Sequence, residues 1–167
     1  MNGKKQRAFF LSVYPSSRGF AFVLFEGPTT PFDWGSKEVR ERKKNAKTLE
    51  HIKRLVERYE PEVLVFEALT SKSRRSDRVV RLYRMLTHYA ATRNLTVRRY
   101  TRDEVRACFA SVGAVRKQEI AAAIAEQMPE FKHRIPRVRK PWMSESYQQG
   151  LFDAAALGVT HYAHATR

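Results

Sequence analysis

The sequence has a single cysteine, Cys108, among 167 residues. One thiol cannot close a disulfide within its own chain, and it excludes zinc sites built from clustered cysteines. Nothing around Cys108 marks it as a nucleophile, so it reads as a small core side chain. Long apolar runs are missing too. None approaches the roughly 18 residues that a membrane span needs. The basic opening MNGKKQR leads into FFLSVYP, an apolar stretch too short for a signal peptide. No internal repeat and no interdomain linker is visible. These absences set the expectation of one domain over residues 1–167, with a short disordered N-terminus at 1–7, no membrane partner and a cytoplasmic location, nucleoid-associated if DNA is bound.

Acids are the other scarcity. There are 17 Asp and Glu against 32 Lys and Arg, a net charge of +15 and a pI near 10.4. Hydrophobic residues make up 43% of the chain, enough to build a core rather than a disordered polycation. A folded domain this basic points to a polyanionic partner, nucleic acid first and an anionic membrane surface second. The basic residues gather in ERKKNAK (41–47), SKSRRSDR (71–78), VRRYTR (97–102) and KHRIPRVRK (132–140). From these runs, Arg42, Lys43, Lys44, Lys72, Arg74, Arg75, Arg137, Arg139 and Lys140 are the expected phosphate contacts. Trp142, inside the last basic stretch, either stacks on an unpaired base or packs its loop onto the body.

The hydrophobic pattern changes period along the chain. AFFLSVY (8–14) and FAFVLF (20–25) read as strands joined by the turn at Pro15-SSRG, and FDW (32–34) as a short third strand. From Asn45, a candidate cap, Leu49, Ile52, Leu55, Val56 and Tyr59 recur at helical spacing until Pro61. EVLVF (62–66) is an unbroken apolar run of strand length, typical of a buried parallel strand. A helix follows over about 75–93, then a strand at LTVRRY (95–100). TRDEVRACF (101–109) opens with a Thr cap and two acids, which marks a short helix, and 116–128 reads as another. Residues 129–143 read as an exposed loop and 144–165 as the last helix. Antiparallel strands followed by helix–strand alternation predict an α/β fold. Its expected core is a five-stranded mixed sheet, three antiparallel strands then two parallel, with helices on both faces.

Two acids stand apart on such a frame. Glu67 follows the buried strand directly, at the carboxyl edge where open α/β sheets place their ligands. Asp153 sits in mid-helix within GLFDAAALG, where a small apolar residue would pack better. Geometry predicts that both face one cleft, with Tyr14 entering it from the neighbouring strand.

The order of elements with these acids resembles the ribonuclease H-like fold, and more narrowly the RuvC-type Holliday-junction resolvases. LSVYPSSRGFAFVLFEGP resembles the opening hairpin of that group, and VLVFEAL its strand bearing the catalytic Glu, which falls on Glu67. TRDEVRACFASVGAVRKQEIAAAIAEQM resembles its helix–turn–Lys–helix segment, with Lys117 at the Lys. GLFDAAALGVTHYA resembles the terminal helix that carries paired aspartates. The resemblance implies catalytic and metal-binding roles for Glu67 and Asp153, and site positions for Tyr14, Lys117 and Gly150; Gln149, one helical turn before Asp153, is a further site neighbour.

It also shows departures. Tyr14 stands at the first Asp and Gly150 at the first of the paired aspartates, so two of four expected carboxylates remain. The implied cofactor shrinks to a single weakly held Mg²⁺ or Mn²⁺, completed by substrate phosphate, with Gln149 as a weak amide ligand. Tyr14 closes the pocket, or else ligates or attacks through its phenolate. His161 and His164 lack a third ligand at metal spacing and read as surface or capping residues. The expected function is structured- or branched-DNA binding, with metal-dependent cleavage at the junction. The alternatives are an inactive DNA-binding adaptor and a basic scaffold for a protein or an anionic surface. A resolvase-like function would add a homodimer, since it needs paired sites.

Overall fold

The computed structural model describes residues 8–40, 42–136 and 148–165. Five strands form one sheet: β1 (Phe10–Pro15), β2 (Gly19–Gly27), β3 (Thr30–Glu38), β4 (Val63–Glu67) and β5 (Thr96–Tyr100). Their order is β3-β2-β1-β4-β5. The β1–β2 and β2–β3 pairs are antiparallel, and β1–β4 and β4–β5 are parallel. The helices are α1 (Lys44–Tyr59), α2 (Asp77–Thr92), α3 (Arg102–Ala110), α4 (Lys117–Gln127) and α5 (Gln149–Ala165). The predicted mixed sheet with helices on both faces is the sheet observed.

Strand alternation sorts the side chains between two cores. Leu11, Val13, Phe22, Leu24, Leu64 and Phe66 face α1 and α2, packed with Ile52, Leu82 and Leu86. On the other face Phe10, Val23, Phe25 and Val65 pack against α4 and α5. The same parity places Ser12, Tyr14 and Glu67 on the α5 side. Ser12, fully buried, donates its hydroxyl to the Ala154 carbonyl at 2.6 Å, which pins α5 to β1 one residue beyond Asp153. Gly158 makes that approach close: a Cβ there would lie 2.1 Å from the Phe25 ring.

Three local expectations are corrected. The third strand extends well beyond 32–34, over Thr30–Glu38, because an edge strand bonded on one side tolerates the polar GSKE. Asn45 does not cap α1. The cap position is Lys43, and the Asn45 amide instead bonds Arg78, donating to its carbonyl at 2.9 Å and accepting from its guanidinium at 3.2 Å. Residues Pro129–Arg134 are a 3-10 turn rather than an exposed loop, since Phe131 is fully buried between Trp34 and Phe152. The expected disordered terminus at 1–7, the start of the last helix at 144, and Arg137, Arg139, Lys140 and Trp142 lie outside the described residues.

Candidate nucleic-acid cleft

A cavity of 490 Å³ opens at the carboxyl edge of β1, β4 and β5. Tyr14, Glu67 and Asp153 all line it, with Lys117 from the start of α4. The topology explains the meeting. Ser12 pairs with Val65 in the parallel β1–β4 register, so Tyr14 and Glu67, each two residues further on, leave the sheet side by side. The Ser12–Ala154 bond then brings Asp153 across them.

Neither carboxylate stands alone. Glu67 lies 3.5 Å from Arg75 Nε and accepts from the Tyr83 hydroxyl at 3.1 Å. Asp153 lies 3.7 Å from Lys117 Nζ and accepts from the Gln149 amide at 3.1 Å. Gln149, expected as a metal ligand, is therefore a donor to the carboxylate. Burial, reinforced by the Glu67 charge, pushes the Tyr83 phenol well above its ordinary range, so it stays a hydrogen-bond donor. Gly150 faces Ala21 of β2, 3.5 Å from where a Cβ would sit, an ordinary contact distance.

Arg75 departs most from expectation. Its basic run predicts a phosphate contact, yet its side chain is only 20% exposed and turns into the cleft. Its guanidinium lies over the Tyr14 ring at 4.8 Å, donates to the Tyr14 hydroxyl at 3.3 Å and donates to the Pro15 carbonyl. Burial opposes its charge, but Tyr14, Tyr83, Glu67 and Asp153 outweigh that and raise its pKa. Nothing in SKSRRSDR distinguishes this arginine from its neighbours. Lys72 and Arg74 do line the cleft and are exposed, whereas Arg42, Lys43 and Lys44 do not line it; Lys44 donates to the Ser17 carbonyl at 2.8 Å instead.

Arg102, the end of the basic run 97–102, and Arg106 also line the cleft, and neither is among the expected phosphate contacts. Their signal was present: β5 pairs Tyr100 with Glu67, and a capped helix starts immediately after it. Thr101 forms a reciprocal capping box with Glu104, at 3.1 Å in both directions, which fixes the first turn of α3 beside the site.

Among the described residues the cleft holds two carboxylates rather than a multi-carboxylate cage, so a divalent ion here would rest on Glu67, Asp153 and substrate phosphate. Both acids here hold cationic partners, and a guanidinium lies between Tyr14 and Glu67. Among the described residues no group of three or more His, Cys, Asp or Glu could hold a metal ion.

No protein-family model and no curated protein matches the sequence. Solved structures do. Thermus thermophilus RuvC superposes with a TM-score of 0.67 at 15% identity over 95% of each chain. The same protein in complex with a Holliday junction substrate gives 0.66 at 14% identity, again over 95% of each. The chain has the RuvC fold. A yeast mitochondrial Holliday junction resolvase superposes with a TM-score of 0.59 at 16% identity, over 92% of this chain and 77% of that one. The ribonuclease H-like architecture implied by the sequence motifs is thus the architecture observed, and the cleft sits within a RuvC-like frame.

Proposed function

We propose that this RuvC-like protein binds branched DNA in the cleft without metal-dependent cutting. One observation carries the reading. The cleft collects six basic side chains, Lys72, Arg74, Arg75, Arg102, Arg106 and Lys117, around three acids, Glu67, Asp103 and Asp153. Each acid has a basic neighbour: Arg75 beside Glu67 at 3.5 Å, Lys117 beside Asp153 at 3.7 Å and, at the exposed rim, Arg106 4.0 Å from Asp103. Lys72, Arg74 and Arg102 remain on the rim with no acid in ion-pair range among the described residues, free to neutralise phosphates. Branching is the preferred feature because a RuvC of the same fold was solved on a Holliday junction.

Binding is favoured over cleavage because Tyr14 and Gly150 stand where two of the expected carboxylates would be, and Arg75 lies beside Glu67. The test is competition binding at fixed salt. Labelled four-way junction should be displaced by unlabelled junction at concentrations well below those of duplex, and Lys72→Ala with Arg74→Ala and Arg102→Ala should weaken junction binding. Equal displacement by duplex would leave a structure-blind polycation, the behaviour expected of a scaffold protein.

A further inference from the structure

Building on the reading of the cleft as a DNA seat, we propose that Arg75 is a resident cation that makes this seat independent of divalent metal. A carboxylate pair on the floor of a cleft repels the phosphates the rim attracts, unless a positive charge stands between them. Here that charge belongs to the chain. Arg75 is held from three sides: the Pro15 carbonyl, the Tyr14 hydroxyl and ring, and the Glu67 carboxylate.

The loop before α2 is shaped to deliver it. Thr70 and Ser73 close a turn, with Ser73 N–H donating to the Thr70 carbonyl at 3.0 Å and Thr70 N–H to Ser73 Oγ at 2.9 Å. Arg74 then faces out while Arg75 faces in. Arg78, one helical turn later, adds a second anchor by donating to the Ser16 carbonyl at 2.8 Å. A side chain with this much donor capacity gains nothing from leaving water unless the buried position uses its charge.

The pairing with Glu67 is electrostatic rather than a strong hydrogen bond. At 3.5 Å the Nε–H finds no aligned acceptor among the described residues. Arg75 therefore offsets the carboxylate while keeping donor capacity at the floor. A phosphate arriving from the rim meets a neutral floor without needing a metal ion to screen it. Tyr14 is the complement of this arrangement: its ring supports a guanidinium, where a carboxylate would recruit a cation from solution.

The experiment is fluorescence anisotropy of a labelled four-way DNA junction with the unmodified chain, Arg75→Ala and Arg75→Lys, in EDTA and in millimolar Mg²⁺ at matched ionic strength. The unmodified chain should bind within about twofold in the two buffers. Arg75→Ala should bind about tenfold more weakly in EDTA, the order expected for exposing an unpaired charge to phosphate, and recover most of that loss in Mg²⁺. Arg75→Lys should remain indifferent to metal. The proposal is overturned if chelation weakens the unmodified chain, if Arg75→Ala keeps full affinity in EDTA, or if Mg²⁺ restores none of the loss. Should Arg75→Ala fail to fold by circular dichroism, the other two proteins decide, and metal dependence in either overturns it. Failure of the DNA-seat reading looks different: the unmodified chain would then show no preference for the junction in either buffer.

Discussion

Glu67 and Asp153 were legible in the sequence because each breaks a local pattern, an acid ending a buried strand and an acid within a small apolar helix segment. Their partners were not. Tyr83 falls among the buried positions of α2, and its hydroxyl contact to Glu67 depends on where the strand ends relative to the helix. The inward turn of Arg75 is set by a tertiary cage of Tyr14, Pro15 and Glu67 that leaves no trace in local composition. The Gly150 position tests the residue-level account. Among the described residues the Ala21 methyl, at 3.5 Å, is what a Cβ there would meet, so the position accepts a Cβ. Combining Tyr14→Asp, Gly150→Asp and Arg75→Ala should create a Mn²⁺ site detectable by water-proton relaxation in DNA-free protein. The same two aspartates with Arg75 retained should bind Mn²⁺ more weakly, because the guanidinium pairs with the new carboxylate. Equal affinity in both backgrounds would contradict the opposition between Arg75 and metal.

At the scale of elements, the periodicities that delivered the sheet order were strong ones. The apolar run of β4, the helical stripes of α1 and α2 and the Thr101 capping box all survive intact because local preference and tertiary packing agree. Readings failed where long-range contacts overrode local ones. Asn45 gave up its capping role for Arg78, and the proline-rich stretch after α4 buried Phe131. The docking of α5 is the element-scale contact on which the cleft depends, since it carries Asp153. Gly158 lets the helix lie against the fully buried Phe25 ring. Gly158→Ala must push them apart, at a cost of about 1–3 kcal/mol for overpacking a tight core. Chemical denaturation should show that loss, and junction affinity should fall with it. An unchanged midpoint would mean that α5 is free to shift.

Across the whole molecule, the net charge of +15 predicts strongly salt-dependent binding. If about six phosphates are neutralised, log K should fall with log salt at a slope near −5. Removing Lys72, Arg74 and Arg102 together should shallow it by roughly one unit per lost contact. A flat salt response would point to a protein partner. Composition is what suggests the proposed partner class. It could not show that the cleft's own acids were matched by cations, because that depends on which side chains the topology gathers.

The central reading, a RuvC-like cleft that holds branched DNA and leaves it intact, is tested most directly by one sample read two ways. End-labelled four-way junction is incubated with the protein in Mn²⁺, then divided between native and denaturing gels. The expected result is a retarded complex on the native gel and full-length strands on the denaturing gel. Strands cut near the branch point by the unmodified protein, and left uncut by Glu67→Gln, would contradict it.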